Sequence, residues 1–445
     1  MDKKQISGFS KLSKRDKIAW LAQNFLYTNP IDLAKEFAGY WHDNVEQQKV
    51  FDGFSENTIS NFHMPFGVAP NFLIDGDVYA VPMVTEESSV VAACAKAAKF
   101  WWNKGGFTTE VVDVRKLGHV HFVYGGDPFI LKSTFPMLRE ALRSGVAHLT
   151  ANMEKRGGGI LAIDLEDMQH LEPGYFQIKG TFDTRDSMGA NFINSILEEW
   201  SAILVRTITE HEAFADTDRS VQVVMSILSN YTPECRVRSE VSCPVKELGA
   251  FNDGRMSASV FAEKFRRAVR IAEGDPFRAT THNKGIMNGI DAVVIATGND
   301  FRAVEACAHT YAARGDQYTS LTHCTVEDGV FRFWIEVPLA LGTVGGLTKL
   351  HPLARKSLDL LGEPTADELM RIVATVGLAQ NFGAVQALVT SGIQAGHMKM
   401  HLTNILRSLQ ATEDEVEQAL AYFKDRVVSF SAVRDFIEGL RGTVA

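Results

Sequence analysis

Residues 372–398 run without one acidic residue, lysine or arginine, and no other feature narrows the possible folds as much. A helix needs about 20 apolar residues to cross a bilayer, so on length alone this stretch qualifies. It also carries Gln380, Asn381, Gln386 and Gln394, whose amides hydrocarbon would leave unpaired, along with several glycines. The expectation is a helix enclosed by protein rather than lipid. At 445 residues the chain has length for two or three domains with a sizeable core around it.

The opening Met1, Asp2, Lys3, Lys4 lacks an apolar leader, so a cytoplasmic protein with no membrane partner is expected. Lys and Arg number 45 against 54 Asp and Glu, a net charge of -9 that argues against nucleic-acid binding. A small anion gripped by a local basic pocket remains open. The cysteines Cys94, Cys235, Cys243, Cys307 and Cys324 are odd in number and form no CxxC pair, so neither a disulfide framework nor a metal site is expected.

Residues 1–50 read as polar and helical, basic at Lys11, Lys14, Arg15 and Lys17. Strands follow over 62–84, punctuated by Pro65, Pro70, Asp75-Gly76 and Pro82, then a helix over 89–103 behind a Ser88-Ser89 cap. Between 113 and 219 strands (119–123, 161–165, 174–182) alternate with helices (131–149, 187–205), a compact unit suited to insertion into a larger domain. Beyond it come a helix over 259–273, a strand over 291–297 and a helix over 301–314. The tail carries two helices, the first opened by a capping box, Thr412 with Glu415.

Neither a Rossmann GxGxxG nor a P-loop is present. Gly157, Gly158 and Gly159, after Lys155 and Arg156, form either a plain turn or a close approach to phosphate. The run DSMGAN (186–191) opens a helix, where free N–H groups and the dipole suit an anion as well as simple capping. Glu87 precedes a helix start and serves there as a dipole complement or, if kept protonated, as an acid. Lys284 sits among small and polar residues in RATTHNKGIMN (278–288), unlike a solvated surface lysine. Asp300 reads as the N-cap of the helix that follows it. His397 and His401 lie one helical turn apart, but a zincin would need Glu where Met398 stands, so acid–base or structural use is favoured over metal. His119 and His121 share a strand face and read as structural.

Taken together these segments resemble class II hydroxymethylglutaryl-coenzyme A reductases over nearly the whole chain. The matching stretches stand in family order: ENTI (56–59), VPMVTEE (81–87), RGGG (156–159), DSMGAN, ILSN (227–230), RATTHNKGIMN, ATGND (296–300), GLAQN (377–381) and GHM (396–398). The resemblance implies an α/β (α+β) architecture. Its large substrate-binding domain is built from 1–112 and 220–391, with a ferredoxin-like cofactor domain inserted over 113–219 and a C-terminal helical flap over 392–445. It implies reduction of 3-hydroxy-3-methylglutaryl-CoA to mevalonate and free coenzyme A by two hydride transfers from NADPH or NADH.

By the same matching, Glu87, Lys284, Asp300 and His397 form the catalytic set, with Asp300 close to both Lys284 and Glu87. Arg278 grips the substrate's free carboxylate beside Asn288, His401 joins the substrate-binding set, and Lys11 in FSKLS (9–13) is the candidate for the coenzyme A phosphates. Asp186, Met188, Gly189 and Asn191 line the dinucleotide site. Thr150 takes the position of an acid found in NADH-preferring relatives; with Lys155 and Arg156 nearby, NADPH is favoured. A homodimer with shared active sites is expected, assembling further into a hexamer in some relatives. Ser88 and Ser187 replace a proline and an alanine common in the family, and ILAID (160–164) lacks its usual Arg-Asp pair. The rival readings are a reductase of another acyl-CoA, an inactive binding protein, and a metallohydrolase using His397 and His401.

Overall fold

The computed structural model describes residues 5–390, 392, 402–423, 426 and 428–442. Three short helices, Lys14–Leu21, Pro30–Ala38 and Val45–Asp52, open the chain, capped by Ser13, Asn29 and Asn44. Strands β1 (Phe66–Ile74) and β2 (Asp77–Val84) form a hairpin whose Asp75-Gly76 turn has φ of 50° and 95°, the left-handed pair that a tight two-residue turn requires. The following helix is Val90–Trp102, and no serine side chain caps it: Ser89 has φ 81° and makes no capping hydrogen bond.

Ten strands are described: after the hairpin come β3 (Thr108–Val111), β4 (Lys116–Tyr124), β5 (Gly159–Asp167), β6 (Tyr175–Asp183), β7 (Val221–Ser229), β8 (Arg236–Pro244), β9 (Thr322–Glu327) and β10 (Val330–Pro338). One antiparallel sheet has the order β5-β6-β4-β7, the ferredoxin-like βαββαβ arrangement. Helices Pro128–Gly145, Ala147–Glu154 and Ala190–Glu210 accompany it, and Phe122, Phe176, Phe182, Trp200 and Leu204 fill its core. The helix expected over 131–149 breaks at Val146, whose backbone leaves the helical region. Because β7 completes this sheet against β4, the inserted unit extends past residue 219 to the end of that strand.

The second sheet, β3-β8-β10-β9, is also antiparallel and lies with helices Ala258–Gly274, Pro276–Ala296 and Ala366–Val389 around a separate core. The strand expected over 291–297 is the last part of the Pro276–Ala296 helix. Its β-branched run Val293, Val294, Ile295 mimics a buried strand, but the segment is packed within the core, and packing overrides propensity. The long apolar helix Ala366–Val389 is a core helix, with 78% of its most apolar window buried in protein. It crosses the Pro276–Ala296 helix closely: a Cβ on Gly289 would stand 2.8 Å from the Val376 carbonyl. The tail helices Glu413–Tyr422 and Phe430–Gly442 share a small core of their own, and the Thr412–Glu415 capping box is formed.

Candidate active site

The Pro276–Ala296 helix carries most of the site on one face. Asn288, Asp291 and Ile295 recur at helical spacing from Lys284, and the latter three line a cavity of about 780 Å³. Glu86, Glu87, Asp300 and Arg302 line the same cavity. Lys284 Nζ lies 2.7 Å from Glu87 Oε2, and the Asn288 amide donates to that oxygen at 3.2 Å. The loop after β2 and the middle of this helix thus deliver a carboxylate, an ammonium and an amide to one point.

A buried polar network fixes the helix from behind. His282 Nε2 pairs with Thr322 Oγ1 at 2.6 Å, and the Thr322 hydroxyl donates to Asn381 Oδ1 at 3.0 Å. Asn381 in turn donates to the His282 carbonyl at 3.3 Å. Burial drives the His282 pKa down to about 3, so the imidazole is neutral and acts as a strut. Arg278, about one turn before His282, is half-buried and has no hydrogen bond or ion pair among the described residues. Desolvation lowers its pKa, which an incoming carboxylate would reverse.

Asp300 shares the cavity with Glu87, but its ion pair is with Arg302 rather than Lys284. Its carboxylate caps the Phe301–Ala312 helix through the N–H groups of Arg302 and Ala303, at 3.0 and 3.3 Å, and the Arg302 guanidinium grips both oxygens at 3.0 Å. Burial pushes this carboxyl up, but Arg302 and the helix N–H groups outweigh it and hold the pKa below the ordinary value. The cause is local: a guanidinium two residues away reaches the cap before a lysine on another helix does.

Asp291 was not singled out by the sequence, because 291–297 read as a strand, and neither was Glu305 on the helix that follows Asp300. Asp291 has its pKa raised to about 8, by burial first, then by a hydrogen bond with Glu305 and the charges of Glu305 and Glu86. His397 and His401 lie outside the described residues. Lys11 sits exposed in the short turn Phe9–Lys11 ahead of the first helix, and its side chain makes no hydrogen bond or ion pair among the described residues.

On the inserted unit, Asp186 does not cap the helix it precedes. The Ala190–Glu210 helix has Gly189 (φ 92°) at its N-terminus and no side-chain cap, leaving its first N–H groups free for an anion. The Asp186 carboxylate instead accepts from Ala366 N at 2.8 Å, and Gly342 packs so tightly on Met188 N that a Cβ there would approach to 2.4 Å. This turn is therefore clamped against the large domain, and its residues fit an anionic dinucleotide. Arg185, which was not picked out, reaches back to the Gly157 carbonyl and joins the glycine turn to it. Lys155 and Arg156 are exposed beside that turn. Thr150 is only 2% exposed, with its hydroxyl on the Ala147 carbonyl, so it faces the interior and cannot meet a ribose. His119 and His121 lie side by side on β4 with ring centroids 5.7 Å apart, and among the described residues no metal-binding group forms.

A family model described as hydroxymethylglutaryl-coenzyme A reductase matches residues 19–402. The 3-hydroxy-3-methylglutaryl-coenzyme A reductase of Archaeoglobus fulgidus is 35% identical over 445 residues, covering 98% of this chain and 95% of its own. A probable reductase of the same name from Borreliella burgdorferi is 30% identical over 418 residues, covering 92% and 90%. Among solved structures, the class II enzyme of Streptococcus pneumoniae bound to NADPH in open conformations gives a TM-score of 0.70 at 34% identity, covering 86% of this chain and all 100% of that one. A second structure of the Streptococcus pneumoniae reductase gives 0.71 at 34% identity, covering 98% and 100%.

Fold, site and likeness together define an oxidoreductase that uses a nicotinamide cofactor. The chain belongs to the hydroxymethylglutaryl-coenzyme A reductase family, in its class II branch, and its reaction is the reduction of 3-hydroxy-3-methylglutaryl-CoA to mevalonate.

Proposed function

We propose that Glu87, Lys284, Asp300 and His397 carry this reduction, with Arg278 and Asn288 on the acyl group, Lys11 on the coenzyme A phosphates and His401 among the substrate-binding residues. The observation that supports it is the 2.7 Å contact of Lys284 with Glu87, on the helix face that borders the large cavity. The Asp186–Asn191 turn would hold the reduced nicotinamide cofactor, which would supply one hydride per molecule, so that two successive equivalents complete the four-electron reduction. Each hydride turns a planar carbonyl into an alkoxide, and an ammonium fixed on a rigid helix is preorganised to receive that charge. Glu87, bonded to both Lys284 and Asn288, is placed to pass a proton at the same oxygen. Asp300, held ionised, adds negative charge to the cavity wall, which favours the protonated form of a neighbouring carboxyl such as Asp291. His397 protonates the departing thiolate so that it does not recapture the aldehyde. The reverse oxidation of mevalonate runs through the same groups.

NADPH is the proposed cofactor, because Lys155 and Arg156 are exposed beside the glycine turn and suit a 2′-phosphate; no metal is required. A homodimer with shared sites, able to assemble into a hexamer, is part of this reading. Phe62 and Phe277 support it, being 92% and 90% exposed close to the site, where a second copy would cover them. A cytoplasmic location completes it. The test is a spectrophotometric assay comparing NADPH with NADH in the presence of the thioester. Faster oxidation of NADPH at equal concentration supports the reading, and equal rates or an NADH preference would remove Lys155 and Arg156 from the site.

A further inference from the structure

The lysine that opens β4 stands in a register meant for apolar residues. Lys116 shares the inward phase of Gly118, Val120, Phe122 and Tyr124 and is only 5% exposed. Its Nζ donates to Thr184 Oγ1 at 2.7 Å and to the Ser187 carbonyl at 2.8 Å, and it forms no ion pair among the described residues. The Thr184 hydroxyl donates to the same carbonyl at 2.6 Å. Both acceptors belong to the turn that leads into the uncapped Ala190–Glu210 helix. On its far side that turn is held by the large domain, through Thr343 N on the Asp186 carbonyl and Ala366 N on the Asp186 carboxylate, each at 2.8 Å. Lys116, Met188, Ala190, Thr232 and Cys307 line one narrow crevice between the two units.

Removing an ammonium from water without a carboxylate to meet it is costly, and an apolar side chain of similar length would avoid the cost. What the charge adds is a positive field behind a helix N-terminus that is already partly positive, where solvent screens it little. We propose that Lys116 is a positioning residue for the cofactor: a buried counter-charge that orders the 184–187 turn and draws a dinucleotide's diphosphate to the helix N-terminus. This rests on the reading of the Asp186–Asn191 turn as the cofactor site.

The groups facing the ammonium are Asp183 and Asp186 on the turn, Asp367 at the start of the long apolar helix, and Cys235 where the chain returns to the large domain. Burial outweighs their pull and leaves the lysine pKa below its ordinary value. A bound dianion nearby raises it again. Cofactor binding therefore takes up protons, and affinity falls as pH rises from the lysine pKa of the free enzyme toward that of the complex.

The test titrates the full-length protein with NADPH across its range of pH stability, comparing it with Lys116→Met, Lys116→Arg and Asn191→Ala, alongside melting curves. Lys116→Met should bind NADPH about tenfold more weakly at the low-pH end and lose the fall with rising pH, yet melt at or above the parent temperature. Lys116→Arg, charged throughout, should keep the parent's low-pH affinity and also lose the fall. If Asn191→Ala weakens binding while both Lys116 variants keep the parent affinity and pH profile, the role of Lys116 is overturned and the cofactor site stands. If no variant changes binding, the cofactor site itself is misplaced and the inference falls with it.

Discussion

Lys284 and Glu87 meet at 2.7 Å although 197 positions separate them in the chain. The lysine side chain is 61% exposed and the glutamate 36%, so solvent screens the pair and its net worth to the fold is below about 1 kcal/mol. Glu87→Gln should therefore leave the melting temperature nearly unchanged while turnover drops by roughly 10²- to 10⁴-fold. A circular-dichroism melt beside a steady-state assay checks both. A variant that loses activity only in proportion to folded protein would make Glu87 structural.

Arg278 is half-buried without a described partner, a poor arrangement for a guanidinium unless a ligand completes it. A charge-assisted hydrogen bond contributes about 1.5–3 kcal/mol, so Arg278→Ala should raise KM for the carboxylate-bearing thioester by roughly 10- to 100-fold. A thioester lacking that carboxylate should bind both proteins alike. Equal KM for the acidic substrate in parent and variant would transfer the chain to another acyl-CoA.

Asp291 gives a pH signature. Its folded pKa of about 8 lies above its ordinary 3.8, so the native state holds a proton that the unfolded chain releases across that interval. Stability from this source is whole below the lower value and is lost as pH rises through the upper one. Asp291→Asn, neutral at every pH, should melt with a flatter dependence on pH over the same interval. Parallel curves for parent and variant would show that the carboxyl is already ionised in the fold.

Gly289 sits where two helices cross, and an added Cβ would lie 2.8 Å from both Gln380 Cβ and the Val376 carbonyl. Overpacking of this kind costs about 1–3 kcal/mol. Because the same helix carries Lys284 and Asn288, Gly289→Ala should lower the melting temperature and also reduce kcat in the protein that remains folded. Unchanged kcat per folded molecule would show that the site tolerates movement of its helix.

What the sequence made legible was mostly local. Alternation and helical spacing locate strands such as β4 and the helix after Asp300, because each is written in neighbouring residues. The run at 293–295 failed, since a short apolar stretch enclosed on every side looks the same whether it lies in a strand or a helix. Asp186 pairs with Ala366, 180 positions on, and nothing near either residue announces it. Asp300 was legible as a cap, but the nearby Arg302 that captures its carboxylate was overlooked. The meeting of Lys284 with Glu87 followed only from resemblance to a family. Lys116 lay outside the strand read over 119–123, and only the full extent of β4 puts its charge in phase with buried Val120 and Phe122.

The most direct measurement is steady-state turnover of Lys284→Ala with saturating thioester and reduced nicotinamide, followed by loss of cofactor absorbance. Removing the cation that meets the alkoxide should lower kcat by about 10²- to 10³-fold with the fold intact. Turnover equal to that of the parent protein would contradict the role given to Lys284 and, with it, the site built around it.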